Sequence, residues 1–398
     1  MSRIHENFTV NFLNVTGVLD STDSTTGAAV ITGGCGIGSN LFIGGNEVIE
    51  NYGTLNTPQS IQNSLFASPL ANNITVVAPA GGISALYTGG VLAQNGNIYC
   101  VPGTASTIQV INPLTNSVTY FGSFGITATK WIGGVLSKNG TIYMAPYANT
   151  NILVVDPTNN SYYTISSALI VSSGYAGGVL APSGLIYFIP QNATAVLGVD
   201  PSIDAVALIG SSYSGTDKWF GGVLGTDGNI YGIPSNYSTI LQINPITQTT
   251  STFGSAGIGT DKYRGGTLGL DNKIYAMPYN TTQILRIDTS AVTITLYGSL
   301  SSSTSKYIGC TLAPNGTIYA IPTNTTKMLL IDTTTTTVNS TLIANSLFDN
   351  NCYGSILAPN GIIYAIPSNT SNLLMVSSGL NTIMIDMNMC LSAFINKL

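Results

Sequence analysis

The sequence predicts an all-β fold, a seven-bladed β-propeller with four-stranded blades, preceded by a short Gly/Thr-rich N-terminal β module. The main observation is a 16-residue phrase, YTGGVLAQNGNIYCVP, which recurs every 44 residues and once after 45. Its seven copies open at Tyr87, Trp131, Tyr175, Trp219, Tyr263, Tyr307 and Cys352. Periods of about 40 to 50 residues that are rich in short strands are typical of propeller blades.

Each repeat contains four short strand-like runs, as residues 131–174 illustrate. The runs WIGGVL, TIYMAP, NILVVD and SYYTIS are separated by polar turn sequences. Asn139-Gly140 falls between the first two runs, where a tight primed turn needs positive φ. The second run ends at a proline in every repeat, because proline cannot donate the next ladder hydrogen bond. These prolines are Pro102, Pro146, Pro190, Pro234, Pro278, Pro322 and Pro367.

The Gly-Gly-Val-Leu run is assigned to the innermost position of each blade. Strands converge near the axis of a propeller, and glycine permits close backbone approach there. The third run ends at an aspartate or asparagine, which is interpreted as an Asx-type turn cap in preference to a metal ligand. These residues are Asn112, Asp156, Asp200, Asn244, Asp288 and Asp332.

The repeats divide the chain into four predicted segments: an N-terminal assembly module (1–50), a connector (51–86), the propeller (87–387) and a tail (388–398). Residues 73–86 align with 117–130, so the connector holds an extra equivalent of an outer strand. This strand either completes the last blade and closes the ring or lies outside as a spare strand. The last blade is itself expected to end in the runs LLMVSS and TIMIDM.

Composition narrows the function. Only 7% of the residues are charged, against about 25% in an average protein, and the net charge is −5. Neutralising phosphates requires clustered Lys and Arg, so nucleic-acid binding is not expected. A surface made mostly of hydroxyl and amide groups causes little charge repulsion between copies of the chain, which favours self-association. The sequence has no run of about 20 apolar residues and no secretory signal, so no membrane span is expected.

Neither a metal site nor a cofactor is expected. The five cysteines have no ligand spacing and are interpreted as small core residues. They are Cys35, Cys100, Cys310, Cys352 and Cys390.

Catalysis is not expected either. The sole histidine is His5 and no glutamate follows Glu50, which leaves the propeller without the usual general acids and bases. Glycosidase chemistry with paired carboxylates could in principle use Asp217, Asp261 and Asp349, which stand just before first strands. The first two are expected near one rim on adjacent blades.

Two sets of side chains around the ring are candidate binding features. Four lysines precede the aromatic residue that opens the inner strand, and they either cover that residue and solubilise the rim or form a cationic collar for a carboxylate or sulfated glycan. The aromatics either pack between blades or stack on sugars. The predicted channel-mouth set is Lys130, Lys218, Lys262, Lys306, Trp131, Trp219, Tyr263 and Tyr307.

A second set lies in the loop after the second strand, on the same face as the lysines, within Asn-x-Ser/Thr sequences. Turn chemistry in a chain rich in Asn and Thr explains such sequences, and glycosylation is the alternative. The candidate glycosylation sites are Asn192, Asn236, Asn280, Asn324 and Asn369.

The N-terminal segment from Thr16 to Asn46 resembles a motif of phage tail-fibre proteins and of virion structural proteins of giant viruses. Its elements are Ser21-Thr22-Asp23-Ser24, Thr26-Gly27-Ala28, Gly33-Gly34-Cys35-Gly36-Ile37 and Leu41-Phe42-Ile43-Gly44-Gly45. The resemblance implies a viral module that folds by strand association between chains; a flexible arm is the alternative. The phrase GGVLxxNGxIYxxP resembles propeller repeats in uncharacterised proteins of protists, algae and their viruses, whose activity is not known.

The predicted function is that of a non-enzymatic viral structural protein, a virion or fibre component that self-assembles through its N-terminal module. The alternative is a carbohydrate-binding, lectin-like propeller for host attachment. The expected partners are copies of the chain itself, other virion proteins or surface glycans. The expected location is the virion, after synthesis in the host cytoplasm.

Overall fold

The computed structural model describes residues 74–77, 86–126, 128–335, 339–344, 352–368 and 372–377. Within these ranges every helix or strand element is a β-strand, and the strands form seven four-stranded antiparallel sheets. The innermost strands of neighbouring sheets pack side by side, and the last sheet packs against the first. The predicted seven-bladed propeller is therefore confirmed. The predicted N-terminal module (1–50) and tail (388–398) lie outside the described residues.

The strands fall into four concentric layers. The ring begins with an outer strand, β1 (Ile74–Val77). The innermost strands are β2 (Tyr87–Leu92), β6 (Trp131–Leu136), β10 (Tyr175–Leu180), β14 (Trp219–Leu224), β18 (Tyr263–Leu268), β22 (Thr311–Leu312) and β26 (Cys352–Leu357). The second strands are β3 (Ile98–Pro102), β7 (Ile142–Pro146), β11 (Ile186–Pro190), β15 (Ile230–Pro234), β19 (Lys273–Pro278), β23 (Thr317–Ala320) and β27 (Ile362–Pro367).

The third strands are β4 (Ile108–Asn112), β8 (Asn151–Asp156), β12 (Val196–Asp200), β16 (Ile240–Asn244), β20 (Ile284–Asp288), β24 (Lys327–Asp332) and β28 (Leu373–Ser377). The remaining outer strands are β5 (Ser117–Phe121), β9 (Ser161–Ser166), β13 (Ala205–Ile209), β17 (Thr249–Phe253), β21 (Thr293–Tyr297) and β25 (Asn339–Ala344). Burial follows the layers, since β7 is buried throughout whereas β9 is exposed at five of its six positions. Most of the hydrophobic clusters lie between blades, where each one joins residues of two neighbouring sheets.

The strand directions create two distinct faces of the ring. The turn face carries the turns between first and second strands and between third and fourth strands. The loop face carries the loops after the second strands and the connections between blades. Each innermost strand therefore starts at the loop face and ends at the turn face.

A tyrosine in the second strand fastens each of several blades to the next at the turn face. Tyr99 donates its hydroxyl hydrogen to Asn160 Oδ1 at 2.8 Å. At the end of the ring, Tyr364 donates in the same way to Asn116 Oδ1 at 2.7 Å, and its hydroxyl also lies 3.2 Å from the Pro113 carbonyl. The last blade is thus joined to the first by the same contact that joins the first blade to the second.

The extra strand found in the sequence closes the ring. Strand β1 pairs antiparallel with β28 in the register Ile74 to Val376, and the last sheet has the order β1-β28-β27-β26. The outer position of the last blade is thus filled from the N-terminal side of the propeller. The expectation that the run TIMIDM (382–387) fills it is wrong, and that run lies outside the described residues.

The turns at the turn face differ in one detail from the sequence prediction. Gly96 and Gly140 have φ of 79° and 88°, as expected, but the preceding asparagines are not among the residues with positive φ. The Gly96 amide donates to the Ala93 carbonyl at 3.0 Å. This geometry is a type I turn followed by a left-handed glycine, and the predicted primed turn is wrong.

The end of the third strand is capped as predicted. Asp156 Oδ1 accepts a hydrogen bond from the Thr158 amide at 2.9 Å, and Asn112 Oδ1 accepts one from the Leu114 amide at the same distance. These residues are therefore turn caps. Three of the cysteines (Cys100, Cys310 and Cys352) are buried, as expected of core residues.

Candidate functional site at the channel mouth

The first residues of the repeated phrase determine the shape of the central channel. In Trp131–Leu136 the pairing with the second strand shifts between Trp131 and Gly134, so Ile132 and Gly133 form a β-bulge. The aromatic at the first position is buried between blades, and Trp131 is only 2% exposed. The bulge directs the second residue to the axis near the loop face.

The first glycine of each pair forms the narrowest part of the channel. Gly133 has φ of 73°, and a Cβ atom added to it would lie 2.9 Å from the Cα of Gly177 in the next blade. Neighbouring inner strands thus approach each other so closely that no side chain fits. The channel encloses a cavity of about 140 Å³. This is below the roughly 300 to 1,000 Å³ of ordinary ligand pockets, so its interior is too small for a sizeable ligand.

The residues at the second position close the channel at its loop-face end. Four of them, Ile132, Ala176, Phe220 and Ile308, form a hydrophobic cluster against which Tyr147, Tyr279 and Tyr353 pack. The full set of second-position residues is Thr88, Ile132, Ala176, Phe220, Arg264, Ile308 and Tyr353. Arg264 is the one charged member of this ring.

Arg264 is the centre of a polar and aromatic cluster at the channel mouth. Its Nη2 donates to Asp261 Oδ1 at 2.7 Å, and its Cζ lies 4.8 Å from the Phe220 ring centre and 4.1 Å from that of Tyr279. The guanidinium is therefore held by one carboxylate and two aromatic rings. Its buried Nε has no hydrogen-bond partner among the described residues. Burial raises the pKa of the nearby Tyr353 hydroxyl, which keeps this group neutral and able to donate.

Two aspartates border this mouth, as the sequence indicated. Asp217 accepts a hydrogen bond from Gln191 Nε2 at 2.6 Å, and Asp261 accepts one from the Ser235 hydroxyl at 3.2 Å. Both have a left-handed backbone with φ of 50°. Gln191 Oε1 is buried and has no partner among the described residues. The mouth thus combines carboxylates, an amide oxygen and a guanidinium. Asp349 lies outside the described residues.

The four lysines predicted around the mouth have a different role. Lys218 is fully buried, and its Nζ donates to the carbonyls of Gln191 at 3.1 Å and Gly215 at 3.0 Å. Lys262 Nζ likewise donates to Ser235 at 2.7 Å. Lys130 and Lys306 also donate to loop carbonyls, and both are at most 5% exposed. Since carbonyls already surround these ammonium groups, the predicted open cationic collar does not fit this geometry.

Burial also changes the acidity of these lysines. Loss of hydration lowers the pKa of Lys262 to about 8, and it lowers the pKa of Lys130, Lys218 and Lys306 in the same direction. Each lysine ammonium donates to a carbonyl of the connection that precedes its own blade. Lys130, Lys218 and Lys262 also donate to the loop after the second strand of the previous blade. The lysines therefore fasten the loop face.

The predicted aromatics pack in the core between blades. Trp131 Nε1 donates to the Asn151 carbonyl at 2.8 Å, and Trp219 Nε1 donates to that of Thr239 at 2.9 Å. Tyr263 and Tyr307 are 1% and 2% exposed. Their faces are covered by protein, so the packing alternative is the one that the geometry supports.

The asparagines proposed for glycosylation hold loops in place. The Oδ1 atoms of Asn192, Asn236 and Asn280 accept hydrogen bonds from the amides of Asp217, Asp261 and Ser305 at 2.7 to 2.8 Å. Asn192 Nδ2 also donates to the Ser173 carbonyl at 2.8 Å. Asn324 Nδ2 lies 3.5 Å from the Thr304 carbonyl, and Asn369 lies outside the described residues. These hydrogen bonds reach residues 19 to 25 positions away, so the asparagines join separate loops, and glycosylation at these sites stays a prediction.

Sequence reasoning missed Arg264. The signal was the repeat itself, because the second residue of the phrase is uncharged in the other six copies and only YRGG departs from them. Among the described residues, no group of three or more His, Cys, Asp or Glu is placed to hold a metal ion, and no helix is long and apolar enough to cross a membrane.

Residues 222–379 match a family described as "Repeat of unknown function (DUF6923)", a stretch that runs from the fourth blade to the end of the seventh. Comparison with curated protein sequences gives no match. By contrast, 1215 chains of solved structures match, so the fold by itself does not narrow the function. None of the families and structures described here is linked to phage tail fibres or giant viruses, and the resemblance of the N-terminal segment stays a prediction.

Three of the similar structures illustrate the range of this fold. Virginiamycin B lyase from Staphylococcus aureus is 14% identical with a TM-score of 0.65, over 77% of this chain and 99% of the lyase chain. A catalytically inactive histidine-to-alanine variant of that lyase with quinupristin gives a TM-score of 0.66 at the same identity and coverage. Hydrazine synthase from Kuenenia stuttgartiensis is 11% identical with a TM-score of 0.59, over 74% of this chain and 96% of that one. At these identities the likeness shows a shared propeller fold.

Proposed function

We propose that the protein is a non-enzymatic structural component that self-assembles, as a building block of a virion surface, fibre or filament. The observation that carries this proposal is the use of the charged residues. In the described blades the lysines before the inner strands are enclosed by carbonyls, and the aspartates after the third strands cap turns. The few ionisable groups are thus employed in holding the fold, and the rest of the surface is weakly charged.

The comparison with the lyase is consistent with this proposal. A lyase of this fold is inactive when one histidine is replaced by alanine. The only histidine of this chain is His5, far from the repeats in sequence, and the last glutamate is Glu50. The propeller segment therefore lacks the residue type on which that enzyme depends, and we do not extend lyase chemistry to it.

The assembly part of the proposal concerns the N-terminal module. A segment of about 30 residues buries too little apolar area to fold alone, so an ordered module requires partner strands from the propeller or from neighbouring chains. Its runs AAVITGG and NLFIGGN offer edges suited to strand addition. The viral setting rests on the motif from Thr16 to Asn46 alone.

Deletion of residues 1–50 tests this connector. We expect the truncated protein to be soluble and folded, because the ring-closing strand Ile74–Val77 is retained, and to lose higher-order assembly. Sedimentation velocity and negative-stain microscopy of both proteins at matched concentrations measure the difference. A truncated protein that forms the same oligomer or filament as the full chain would show that the N-terminal module is not the connector.

A second candidate function is carbohydrate binding at the channel mouth. The specific observation in its favour is the Arg264 cluster, in which a guanidinium, Asp261 and the Tyr279 ring meet at a rim that also carries Asp217. Sugars are bound by planar polar side chains that hydrogen-bond hydroxyls and by aromatic rings that cover their apolar faces. This site differs from the lysine collar expected from the sequence.

The change Arg264→Ile tests this second function, because Ile132 and Ile308 occupy the same position in other blades. A glycan array with wild type and this variant is the measurement. Signals that disappear in Arg264→Ile and persist in Lys327→Met, a change of an exposed loop-face lysine, would support binding at the mouth. Signals that are equal in all three proteins would place any binding elsewhere.

A further inference from the structure

The sequence Asn-Gly recurs in four of the turns between first and second strands, on the turn face. Such a pair is prone to lose the side-chain amide of the asparagine, because glycine has no side chain to hinder the attack of its own backbone nitrogen. Each of these glycine amides donates to the carbonyl three residues earlier at 3.0 to 3.1 Å, so the attacking nitrogen is held alike in all four turns. The surroundings of the asparagine therefore decide which pair reacts. The four pairs are Asn95-Gly96, Asn139-Gly140, Asn315-Gly316 and Asn360-Gly361.

The side-chain nitrogen of Asn139 is held less firmly than those of Asn95 and Asn360. In the latter two, Nδ2 donates to a proline carbonyl of the neighbouring blade, at 3.0 Å for Asn95 and 2.8 Å for Asn360. Each also donates to the hydroxyl of the tyrosine in the second strand of its own blade, at 3.1 and 3.0 Å. For Asn139 the corresponding proline carbonyl, that of Pro201, lies at 3.5 Å. The nitrogen that leaves in the reaction is thus the least restrained in Asn139.

The side-chain oxygen of Asn139, by contrast, carries more donors. Thr141 donates to Asn139 Oδ1 from its hydroxyl at 2.6 Å and from its amide at 3.2 Å, and the Ser137 hydroxyl contacts the same oxygen. Donors on a carbonyl oxygen stabilise the negative charge that develops there when a nucleophile adds to the carbon. The turns of Asn95 and Asn360 have no hydroxyl at these two positions. The residues there are Ala93 and Asn97 around Asn95, and Ala358 and Ile362 around Asn360.

We propose that Asn139, assisted by the Thr141 hydroxyl, undergoes spontaneous deamidation faster than Asn95 or Asn360. The Gly140 nitrogen gives its proton to water and bonds to Cγ of Asn139, the Cγ–Nδ2 bond breaks, and the nitrogen takes a proton from water and leaves as ammonia. Water then opens the five-membered imide at either of its two carbonyl carbons, which leaves aspartate or isoaspartate at position 139. Water is the only co-reactant, and no atom is oxidised or reduced. The proposal does not depend on the proposed function.

The fourth blade shows what a carboxylate does at this position. There Asp227 replaces the asparagine, and Tyr231 donates its hydroxyl hydrogen to Asp227 Oδ2 within the same turn at 2.7 Å. Tyr143, the corresponding tyrosine of the second blade, donates instead to Asp204 Oδ1 in the third blade at 2.8 Å. A carboxylate at position 139 would compete with Asp204 for this hydrogen and repel its charge. Deamidation is therefore expected to weaken the contact between the second and third blades.

Peptide mapping by mass spectrometry of the full-length protein, incubated at mildly alkaline pH, measures the reaction at each site. Chymotrypsin is the suitable protease, because trypsin cuts after Lys138, directly beside the site. We expect Asn139 to convert about fivefold faster than Asn95 or Asn360, the factor that corresponds to one ordinary hydrogen bond. Equal rates at the three sites, or a faster reaction at Asn95 or Asn360, would overturn the proposal.

The repeat supplies variants that sharpen this test. Thr141→Ile introduces the residue that the seventh blade has at this position, so it removes the hydroxyl donor and keeps the backbone amide. It is expected to slow the conversion of Asn139 about fivefold and to leave that of Asn95 unchanged. An unchanged or faster conversion of Asn139 in this variant would overturn the assistance by Thr141.

Two substitutions at the site itself test the consequence for the fold. Asn139→Ser copies Ser183 of the third blade and cannot react, whereas Asn139→Asp imitates one product of the reaction. Asn139→Asp is expected to melt at a lower temperature than Asn139→Ser, because its carboxylate competes with Asp204 for the Tyr143 hydroxyl. Equal melting temperatures of the two variants would overturn the expected weakening between blades.

Discussion

The loop face and the turn face of the propeller employ their charged residues in opposite ways. On the loop face, lysine ammonium groups lie inside the protein and donate to carbonyls that are distant in sequence, as Lys218 does to Gln191. On the turn face, aspartates lie at the surface and accept from an amide two residues further on, as Asp156 does from Thr158. The cations therefore hold blades and loops together, whereas capping aspartates such as Asp156 and Asp200 each shape a single turn. A buried cation of the loop face is therefore expected to contribute more to stability than an exposed aspartate cap of the turn face.

The largest expected effect is at Lys218. Replacing it by methionine keeps most of its apolar contacts but removes its hydrogen bonds to the carbonyls of the buried Gln191 and of Gly215, so we expect Lys218→Met to lower the free energy of unfolding by about 2 to 4 kcal/mol. Denaturant titration measures this change. Lys327→Met, which alters an exposed lysine of the same face, is expected to stay within about 0.5 kcal/mol of wild type. Equal effects of the two changes would contradict the structural role of the buried ammonium.

A smaller effect is expected at the turn face from Gly140→Val. Gly140 has φ of 88°, and a Cβ atom there would lie 3.0 Å from the side chain of Gln94, so the loss is expected to be about 1 to 3 kcal/mol. Gly140→Asn is the control, because Asn272 takes the corresponding position in the fifth blade with φ of 61°. Thermal melting of both variants is the measurement, and an unchanged melting temperature in Gly140→Val would show that the turn is assigned wrongly.

The buried lysines predict a rise of stability with pH. The pKa of Lys262 is lowered to about 8 in the folded protein, whereas in the unfolded chain it is about 10.4. Between these values the unfolded chain binds more protons, so the free energy of unfolding increases as pH rises from 8 to 10. The comparison of wild type with Lys262→Met in denaturant titrations from pH 7 to 10 isolates this contribution. A difference between the two proteins that is constant over this range would refute it.

The smallest effect is expected for a single turn cap. Asp156→Asn should lower the melting temperature only marginally near neutral pH, since Asn244 makes the same contact in the fourth blade without a charge. Asp156→Ala should lower it slightly, because the Thr158 amide loses its acceptor. The Thr158 hydrogen bonds lower the pKa of Asp156, so the advantage of aspartate is present at neutral pH and fades as pH falls through its folded pKa. A large loss in Asp156→Asn would mean that its charge acts beyond its own turn.

The repeat made the backbone predictable and left the side-chain contacts open. The prolines, turn glycines and capping aspartates recur at fixed offsets, and each has a local reason that needs no knowledge of neighbouring blades. The choice of hydrogen-bond partner by Lys218 is different. It depends on the conformation of the connection before the strand, where Asp217 has φ of 50°, and the period of the repeat does not specify that conformation.

The channel mouth was unpredictable for a related reason. A repeat alignment emphasises what the copies share, whereas Arg264 matters because it differs from Ile132 and Ile308 at the same position. Whether a charged residue near the axis finds partners depends on which side chains converge from other blades, here Phe220 and Tyr279. That convergence is a property of the closed ring. A single repeat does not contain it.

Closure of the ring by Ile74–Val77 has a consequence for the order of folding. This strand leaves the ribosome before the blades, yet its partner Leu373–Ser377 is made about 300 residues later. At roughly 5 to 20 residues per second, it waits about 15 to 60 s for that partner during synthesis. The blades in between form from contacts that are local in sequence, so they can fold as they emerge. The joint between the two ends is therefore the last contact to form, and until then both the early strand and the third strand of the last blade expose free edges to other nascent chains.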